Sequence, residues 1–370
     1  MILLNFYKKF GTKQREDKMA DSRLILNIKG ISAYGVPRKF FHTRLAKVFE
    51  AICKRDDEVL SQMQKRLHYY NQISSDFSDI LQGAQDKEHI NKFPFSKTTH
   101  YFDSYKITKY FKDELWWIKR FGDVREHLSV PSICKSRLIE KGNENNILLK
   151  LGKDRHYDFV EDRLKFEDKK PKAVWRGANF QANREAFLRA YAGFDFCDIA
   201  DARTNKVHIR ANYLNKRAQM GFKYIISLEG NDVASNLKWA MHSNSLVITQ
   251  KLKYETWFME GCLKAGEHFV LCDNENLGEV VEYYNTHTSE AKAIIDNAHA
   301  YVAKFLDEEM EFHLGILVMA KYFYYSGQIE LPNEFLQLIK KWKWWKKRFF
   351  KVKKIKSLKK SKQSALNSGQ

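Results

Sequence analysis

Between Ala173 and Gly278 the chain alternates short apolar segments with helical ones, and this alternation restricts the possible folds more than any other feature. The predicted elements follow one another as strand 173–175, helix 183–191, helix 213–219, strand 224–228, helix 233–242, strand 245–249, strand 268–272 and helices from 278 onward. Strands that alternate with helices form βαβ units. The sequence therefore predicts an α/β fold with a parallel sheet covered on both faces.

The first half of the chain has a less regular pattern. Residues 24–28 and 115–121 are strand-like, and the second of these segments stops at Gly122. Neither Gly nor Pro interrupts residues 39–81, where apolar side chains recur at helical spacing, so one long amphipathic helix is predicted there. Because 370 residues exceed the usual size of a single core, two domains are expected. The charged segment 161–172 predicts their boundary, with domains at 1–170 and 171–335.

The net charge of +19 is concentrated at the end of the chain. Thirteen of the 64 Lys and Arg lie between Lys340 and Lys362 with no acid among them, so the remaining 51 nearly balance the 45 acidic residues. The basicity therefore belongs to a tail, residues 336–370, and not to the body of the protein.

Large apolar residues recur every three or four positions in this tail: Leu338, Trp342, Trp345, Phe349 and Val352. As a helix, the tail would carry an aromatic stripe with basic flanks, which is typical of a segment lying on an anionic membrane surface. A disordered basic tail or a nucleic-acid-binding arm is the alternative, since aromatics between basic residues also suit single-stranded nucleic acid.

Several classes of protein are disfavoured by what the sequence lacks. The five cysteines contain no Cys-x-x-Cys pair, and no apolar run approaches the ~20 residues of a membrane span. Residues 1–7 are too short for the apolar region of a signal peptide. We therefore expect a cytoplasmic protein with reduced thiols and at most peripheral membrane contact.

The chain also lacks several common nucleotide-binding motifs. There is no Gly-x-Gly-x-x-Gly and no Gly-x-x-x-x-Gly-Lys-Ser/Thr, which disfavours dinucleotide and ATP chemistry. The chain contains no Asp-x-Asp, the usual carboxylate pair for a metal-bound nucleotide sugar. For a nucleotide-sugar enzyme, cations and helix dipoles would then stabilise the departing diphosphate, and no metal or other cofactor is expected.

Two strand-to-helix junctions are candidates for binding a diphosphate. One is Trp175-Arg176-Gly177 followed by Arg184, and the other runs from Glu229 to Lys238. Each places a glycine and a cation beyond the carboxyl end of a predicted strand, where ligands bind in open parallel sheets. Each motif alone also fits a strand end with a solvated Arg or an ordinary turn.

Asp123 is a candidate general base, because it follows a strand-like segment directly. Helix capping or turn formation is the alternative role for this carboxylate.

The blocks LEGNDVA at 228–234 and YETWFMEG at 254–261 resemble glycosyltransferase family 90. The similarity extends from about Tyr101 to Phe305. Bacterial members of the family include lipopolysaccharide-core transferases, and eukaryotic members include protein O-glucosyltransferases and capsule-associated enzymes. The resemblance implies a GT-B-like arrangement of two Rossmann-type domains with parallel sheets, the second holding a UDP-sugar.

The resemblance assigns roles to individual positions. Asp123 falls where the family has its acceptor-deprotonating Asp, followed by a Lys-containing strand end, here Lys135. Arg184 falls on a diphosphate-binding Arg. The second donor-binding loop comprises Val233, Ala234, Ser235 and Asn236, after Gly230, Asn231 and Asp232.

The chain departs from the family's pattern at two points. Eukaryotic members usually have Arg at the position of Asn236 and Ser at the position of Ala178. Whether Lys238, one turn further on, compensates is left open. The resemblance makes Glu255 a ribose or sugar contact, and a carboxylate at a helix N-terminus is the alternative.

These features together predict an inverting, metal-independent transfer of a hexose, glucose or galactose, from a UDP-sugar to a hydroxyl of a lipid-anchored glycan. The expected acceptor is the core of lipopolysaccharide or lipooligosaccharide at the inner face of the cytoplasmic membrane, with no nucleic acid as partner. A protein or capsular O-glycosyltransferase is the alternative within enzymes, and a nucleic-acid-binding protein is the alternative from another class.

Overall fold

A computed structural model describes residues 36–92, 98–202 and 212–340. The predicted strand at 24–28 and the tail beyond residue 340 lie outside these ranges. The helices are α1 Arg38–His42, α2 Leu45–Cys53, α3 Asp57–Tyr70, α4 Ser78–Gly83, α5 Thr98–Thr108, α6 Lys153–His156, α7 Ala182–Tyr191, α8 Lys216–Gln219, α9 Leu237–Met241, α10 Leu277–Thr286, α11 Thr288–Ala303, α12 Glu308–Tyr325 and α13 Asn333–Ile339. The strands are β1 Glu88–His89, β2 Trp116–Trp117, β3 Lys119–Arg120, β4 Ser132–Cys134, β5 Ser136–Leu138, β6 Asn146–Leu148, β7 Lys170–Gly177, β8 Cys197–Asp201, β9 Phe222–Ser227, β10 Leu246–Thr249, β11 Tyr254–Thr256 and β12 Val270–Leu271.

The second half contains a five-stranded sheet in the order β12-β10-β9-β7-β8, with every pair parallel. Successive residues of its strands face different cores. Val174, Ile225 and Val247 belong to one apolar cluster, while Trp175 and Tyr224 belong to another that includes residues of α7 and α10. A parallel sheet buried on both faces is thus confirmed, as the strand-helix alternation predicts. Strand β8, at one edge, was not predicted.

The first half contains a smaller parallel sheet in the order β3-β4-β6. The strand-like segment 115–121 is divided in two. β2 pairs antiparallel with β1, whereas β3 pairs with β4 of the small sheet. Because β3 ends at Arg120, the segment that follows it lies at the carboxyl edge of this sheet.

The single long helix predicted over residues 39–81 is wrong, since α1, α2, α3 and α4 occupy this segment. Asp56 has an extended backbone and precedes Asp57 and Glu58, two acids that favour the start of a new helix. At the other end, the side-chain amide oxygen of Asn71 accepts from the backbone N–H of Ile73, which turns the chain out of α3. The chain thus leaves the helical path at Asp56 and at Asn71 without Gly or Pro.

The two halves are joined by more than the connecting chain. β5 of the first half pairs antiparallel with β11 of the second, Arg137 lying opposite Glu255. Near its end the chain returns, because α12 packs against α3 and α5, and α13 packs against α3 and α2. The predicted domain boundary at residue 170 stays a prediction. No helix in the described part of the chain is both long and apolar enough to cross a bilayer.

The start of the predicted tail needs a correction. Leu338 is buried, and its backbone carbonyl accepts a hydrogen bond from the Gln64 side chain of α3. It therefore belongs to the core of the first half and not to an interfacial stripe, because α13 closes over α2 and α3.

Candidate active site

Residues from the two parallel sheets meet at their carboxyl ends. Asp123 follows β3, and Asn231 and Asp232 follow β9. Gly122 has a φ of 115°, a conformation that L side chains rarely adopt, and the turn it forms presents Asp123 to the second half. The Asn231 side-chain amide lies 3.4 Å from Asp123 Oδ2. The predicted base and the predicted donor loop are thus neighbours, although 108 residues separate them.

Lys135 links the two carboxylates, and we call Asp123, Lys135 and Asp232 the charged junction. Its Nζ donates to Asp123 Oδ1 at 2.6 Å and lies 2.7 Å from Asp232 Oδ2. The Lys135 side chain is 4% exposed, whereas that of Asp123 is 38% exposed. Lys135 directly follows β4, so its position is fixed by the small sheet. The structure therefore holds Asp123 by a buried cation while leaving it open to solvent.

The two carboxyls of the charged junction have pKa values displaced in opposite directions. At Asp123 burial raises the pKa, but the hydrogen bond and charge of Lys135 outweigh it and hold the pKa below its ordinary value. At Asp232, which is more deeply buried, burial prevails over Lys135 and the pKa is raised. Environments that separate the pKa values of neighbouring acids mark acid-base sites. A lowered pKa favours the ionised form of Asp123, which is the form that a general base requires.

Arg184 lies at the carboxyl end of the large sheet, where its guanidinium contacts main chain. Its Nε, Nη1 and Nη2 donate to the carbonyls of Glu229, Ala178 and Leu228 at 2.9–3.1 Å. A Cβ added at Gly230 would lie 3.1 Å from Nη2, so a glycine lets this loop approach the guanidinium. Arg184 therefore connects the loops after β7 and β9, the two predicted donor-binding segments.

Arg176 and Gly177 occupy the end of β7, but the Arg176 side chain is turned toward the sheet edge. Its guanidinium donates to Asp198 Oδ1 at 2.6 Å and to the Asp198 carbonyl at 2.7 Å, which ties β7 to β8. A Cβ at Gly177 would lie 2.6 Å from the indole of Trp175. Arg176 thus links two strands of the large sheet. A contact between Arg176 and the donor stays a prediction.

The remaining residues of the donor loop are held by the large sheet. Val233 and Ala234 are buried, and Ser235 is half-buried. The Asn236 amide donates to the carbonyl of Ile226 at 2.9 Å, and its oxygen accepts from Ser227 at 3.1 Å. Asn236 thus anchors the loop to β9, and both polar atoms of its side chain are hydrogen-bonded within the large sheet.

Lys238 and Glu255 do not reach the charged junction. Lys238 is fully buried and its Nζ lies 2.5 Å from Glu260 Oε1. Glu255 is 2% exposed, accepts from Arg137 Nε at 2.7 Å, and also accepts from the Tyr69 hydroxyl and the Gly261 N–H. Both side chains therefore face buried partners, since they lie on the inner sides of α9 and β11.

The sequence analysis assigned no individual role to two residues near this site, Glu229 and Tyr254. Glu229 Oε1 accepts from the backbone N–H groups of Lys253 and Tyr254, and burial raises the pKa of this carboxyl to about 7. Glu229 stands inside the LEGNDVA block, which was the available signal.

An open cavity of about 520 Å³ lies beside Asp123. It is lined by residues of the segment 120–128, including Phe121 and Asp123, and by Tyr254. Aromatic and charged groups beside an accessible carboxylate suit a hydroxylated ligand.

Two comparisons with known proteins bear on this site. The family model of glycosyl transferase family 90 matches residues 155–326, which include helix α7 with Arg184 and the loop with Asp232. An O-glucosyltransferase LpsA of Dichelobacter nodosus is 39% identical over 271 residues, which are 72% of this chain and 84% of that protein. The similarity thus covers most of both chains. The chain accordingly belongs to glycosyltransferase family 90 and is a glycosyltransferase.

Proposed function

We propose that this enzyme transfers a hexose, glucose or galactose, from a UDP-sugar to a hydroxyl of a lipopolysaccharide or lipooligosaccharide core, inverting the anomeric centre without a metal ion. The observation that carries the proposal is Asp123, an accessible and ionised carboxylate held by Lys135 next to the donor loop. The name of the relative, O-glucosyltransferase, favours glucose among the hexoses.

A GT-B-like arrangement belongs to the same proposal. Each half has a parallel sheet, and the carboxyl ends of both meet at the charged junction. In such sheets ligands bind beyond the carboxyl ends of the strands. We place the nucleotide sugar on the loops after β7 and β9 and the acceptor in the cavity beside Asp123.

The proposed reaction is a single displacement. Asp123 takes the proton of the acceptor hydroxyl, whose oxygen forms a bond to the anomeric carbon as the bond from that carbon to the UDP oxygen breaks. Attack opposite to the leaving group inverts the configuration. Negative charge grows on the departing UDP, and Arg184 with the loop from Asn231 to Asn236 is proposed to stabilise it. The absence of Asp-x-Asp supports a metal-free mechanism.

A panel of nucleotide sugars tests the donor. We expect UDP-glucose or UDP-galactose to raise the melting temperature, because a ligand that binds the folded state stabilises it by mass action, and GDP-mannose to leave it unchanged. Transfer to a core oligosaccharide should persist in excess chelator. Stabilisation by GDP-mannose alone would contradict the donor assignment, and activity restored only by Mn²⁺ or Mg²⁺ would contradict the metal-free mechanism.

Other acceptors, a protein or a capsular polysaccharide, are the competing possibility for the same chemistry. Assays with a core oligosaccharide, a capsular fragment and a peptide carrying Ser and Thr separate them. Transfer to the core oligosaccharide is the expected result, and preference for either of the others would contradict the proposed acceptor.

Peripheral attachment to the inner face of the cytoplasmic membrane completes the proposal, and it rests on the composition of the tail. Each Lys or Arg near an anionic surface contributes about 1 kcal/mol. Because Leu338 lies in the core, the informative truncation removes residues 341–370 and retains α13. It should release the enzyme from anionic vesicles and spare transfer to a soluble acceptor. Continued binding to vesicles, or a preference of the intact chain for RNA, would contradict membrane attachment.

A further inference from the structure

Asp232 lies in the donor loop after β9, but its carboxylate is paired with a residue of the first half. Its side chain is 7% exposed, and Oδ2 lies 2.7 Å from Nζ of Lys135, which directly follows β4. The loop is closed by a backbone hydrogen bond from the N–H of Gly230 to the carbonyl of Asp232 at 2.9 Å. Because like charges repel, this buried carboxylate is not suited to bind the phosphates of a donor.

Lys135 shares one positive charge between two carboxylates of unequal exposure. Its Nζ lies 2.6 Å from Oδ1 of Asp123, whose side chain is 38% exposed, and 2.7 Å from Oδ2 of the buried Asp232. The Lys135 side chain is itself 4% exposed. In the part of the chain that the structure describes, no third carboxylate is paired with this lysine. If either carboxylate loses its charge, the other is the counter-charge that remains.

The proposed reaction removes one of these charges. When both carboxylates are ionised, the charged junction carries one net negative charge. Asp123 becomes neutral when it takes the proton of the acceptor hydroxyl, and Lys135 and Asp232 are then left as a balanced pair. Without the Asp232 carboxylate, the same step would leave a buried ammonium group with no counter-charge, which is strongly unfavourable. The second carboxylate therefore makes protonation of Asp123 easier, and this makes Asp123 a stronger base.

The pKa values of the two carboxyls are consistent with a shared cation. Burial raises the pKa of both, the charge of Lys135 lowers both, and the charge of Asp123 raises that of Asp232. The interaction between two charges is mutual, so the charge of Asp232 opposes the effect of Lys135 on Asp123. Arg155 is a further cation whose charge lowers the pKa of Asp123. Asp232 thus balances part of the positive charge around the base.

We propose that Asp232 is a positioning residue for the general base. It acts through Lys135, which it holds in place and balances when Asp123 accepts the proton of the acceptor, and it does not bind the donor. This inference rests on the proposed role of Asp123 as the base. Because Asp232 follows β9 and Lys135 follows β4, the same ion pair also fixes the donor loop against the small sheet.

Asp232→Asn is the main test, because it keeps the shape of the side chain and removes the charge. We expect kcat to fall about 10-fold, which is part of the roughly 10²- to 10⁴-fold that a general base contributes, while the Kd for UDP stays within about 2-fold of the wild type. Asp232→Glu keeps the charge and should recover part of the rate. Asp162→Asn is the matched control, since Asp162 is a buried partner of Lys169 at 2.6 Å. It should lower the melting temperature and leave kcat unchanged.

A second measurement tests the sharing of Lys135 directly. Asp123→Asn and Asp232→Asn each leave one carboxylate on the lysine, whereas the double variant leaves none. The double variant should therefore lose more free energy of unfolding than the two single variants together, or fail to fold where both single variants fold.

Three results would overturn the inference. They are a normal kcat in Asp232→Asn, a loss of UDP affinity in this variant as large as its loss of kcat, and additive losses of stability in the double variant. In each case the proposed function stands as long as Asp123→Asn is inactive. Near-normal turnover of Asp123→Asn would instead remove the proposed base, and the inference with it.

Discussion

The charged junction and the buried ion pairs of the second half use the same residue types in different settings. In the junction one lysine serves two carboxylates, and Asp123 keeps 38% of its side chain exposed. In the pair Lys238–Glu260 both side chains are fully buried, and the Glu260 carboxylate also accepts from the N–H and hydroxyl of Thr256. Arg137 and Glu255 are likewise 1% and 3% exposed.

The buried ion pairs stabilise the fold, whereas the charged junction is accessible to a substrate. A buried pair with every oxygen hydrogen-bonded has no capacity for a ligand, and breaking it leaves an uncompensated charge. A shared cation beside an accessible carboxylate can exchange partners as protons move. Four substitutions test whether the accessible charges affect catalysis and the buried charges affect stability.

Asp123→Asn has the largest expected effect, and it should fall on catalysis alone. Removing a general base slows transfer by about 10²- to 10⁴-fold, while Asn can still accept from Lys135, so folding and UDP-sugar affinity should stay near those of the wild type. Turnover, donor affinity and melting temperature are the measurements. Asp195→Asn, on an exposed turn, is the control. Near-normal turnover of Asp123→Asn would remove Asp123 from the mechanism.

Lys238→Met should affect stability instead. It leaves the buried Glu260 carboxylate without its cation, which costs about 3–5 kcal/mol of unfolding free energy, measured by urea titration. Adding Glu260→Gln should restore much of that loss, because no lone charge then remains. The folded fraction should bind UDP-sugar normally. A stable Lys238→Met protein that has lost donor affinity would place Lys238 in the site after all.

Arg184→Ala is expected to show both kinds of effect, because Arg184 belongs to the donor site and also bonds three main-chain carbonyls. Transfer should lose about 2–4 kcal/mol of transition-state stabilisation, by analogy with the removal of one oxyanion donor. Melting temperature should fall as well, since buried carbonyls lose their partner. Unchanged donor binding and turnover would make Arg184 purely structural.

Glu229 gives the smallest effect, and it depends on pH. A carboxyl whose pKa rises from 4.5 to about 7 on folding contributes stability at low pH that is lost as pH rises through 7. Glu229→Gln removes this dependence and can still accept from Lys253 and Tyr254. From about pH 5 to about pH 8 the wild type should lose up to about 3 kcal/mol relative to the variant in urea unfolding. Parallel pH profiles of the two proteins would contradict the raised pKa.

The elements that could be predicted from the sequence are those in which several consecutive residues are apolar because the whole element is buried. β7, β9 and β10 are buried on both faces of their sheet, so they contain runs of apolar residues. Such runs can be predicted as strands from the sequence alone. β8, with its sequence CDIAD, was missed because an edge strand keeps polar residues. The break after α3 in the helix predicted over 39–81 involves a side-chain bond to the main chain at Asn71, which apolar spacing does not record.

The candidate site divides in the same way. Asp123, Arg184 and the loop from Gly230 to Asn236 could be proposed from the sequence, because they follow predicted strands and match positions of the resemblance to family 90. The partners of Lys238 and Glu255 could not, because Glu260 lies 22 residues from Lys238 and Arg137 lies 118 residues from Glu255. The sequence by itself determined an α/β glycosyltransferase of family 90 and the segments that form its loops. Only the tertiary structure decided which charges stay open to solvent and which are buried against each other, because burial and pairing depend on which distant segments pack together.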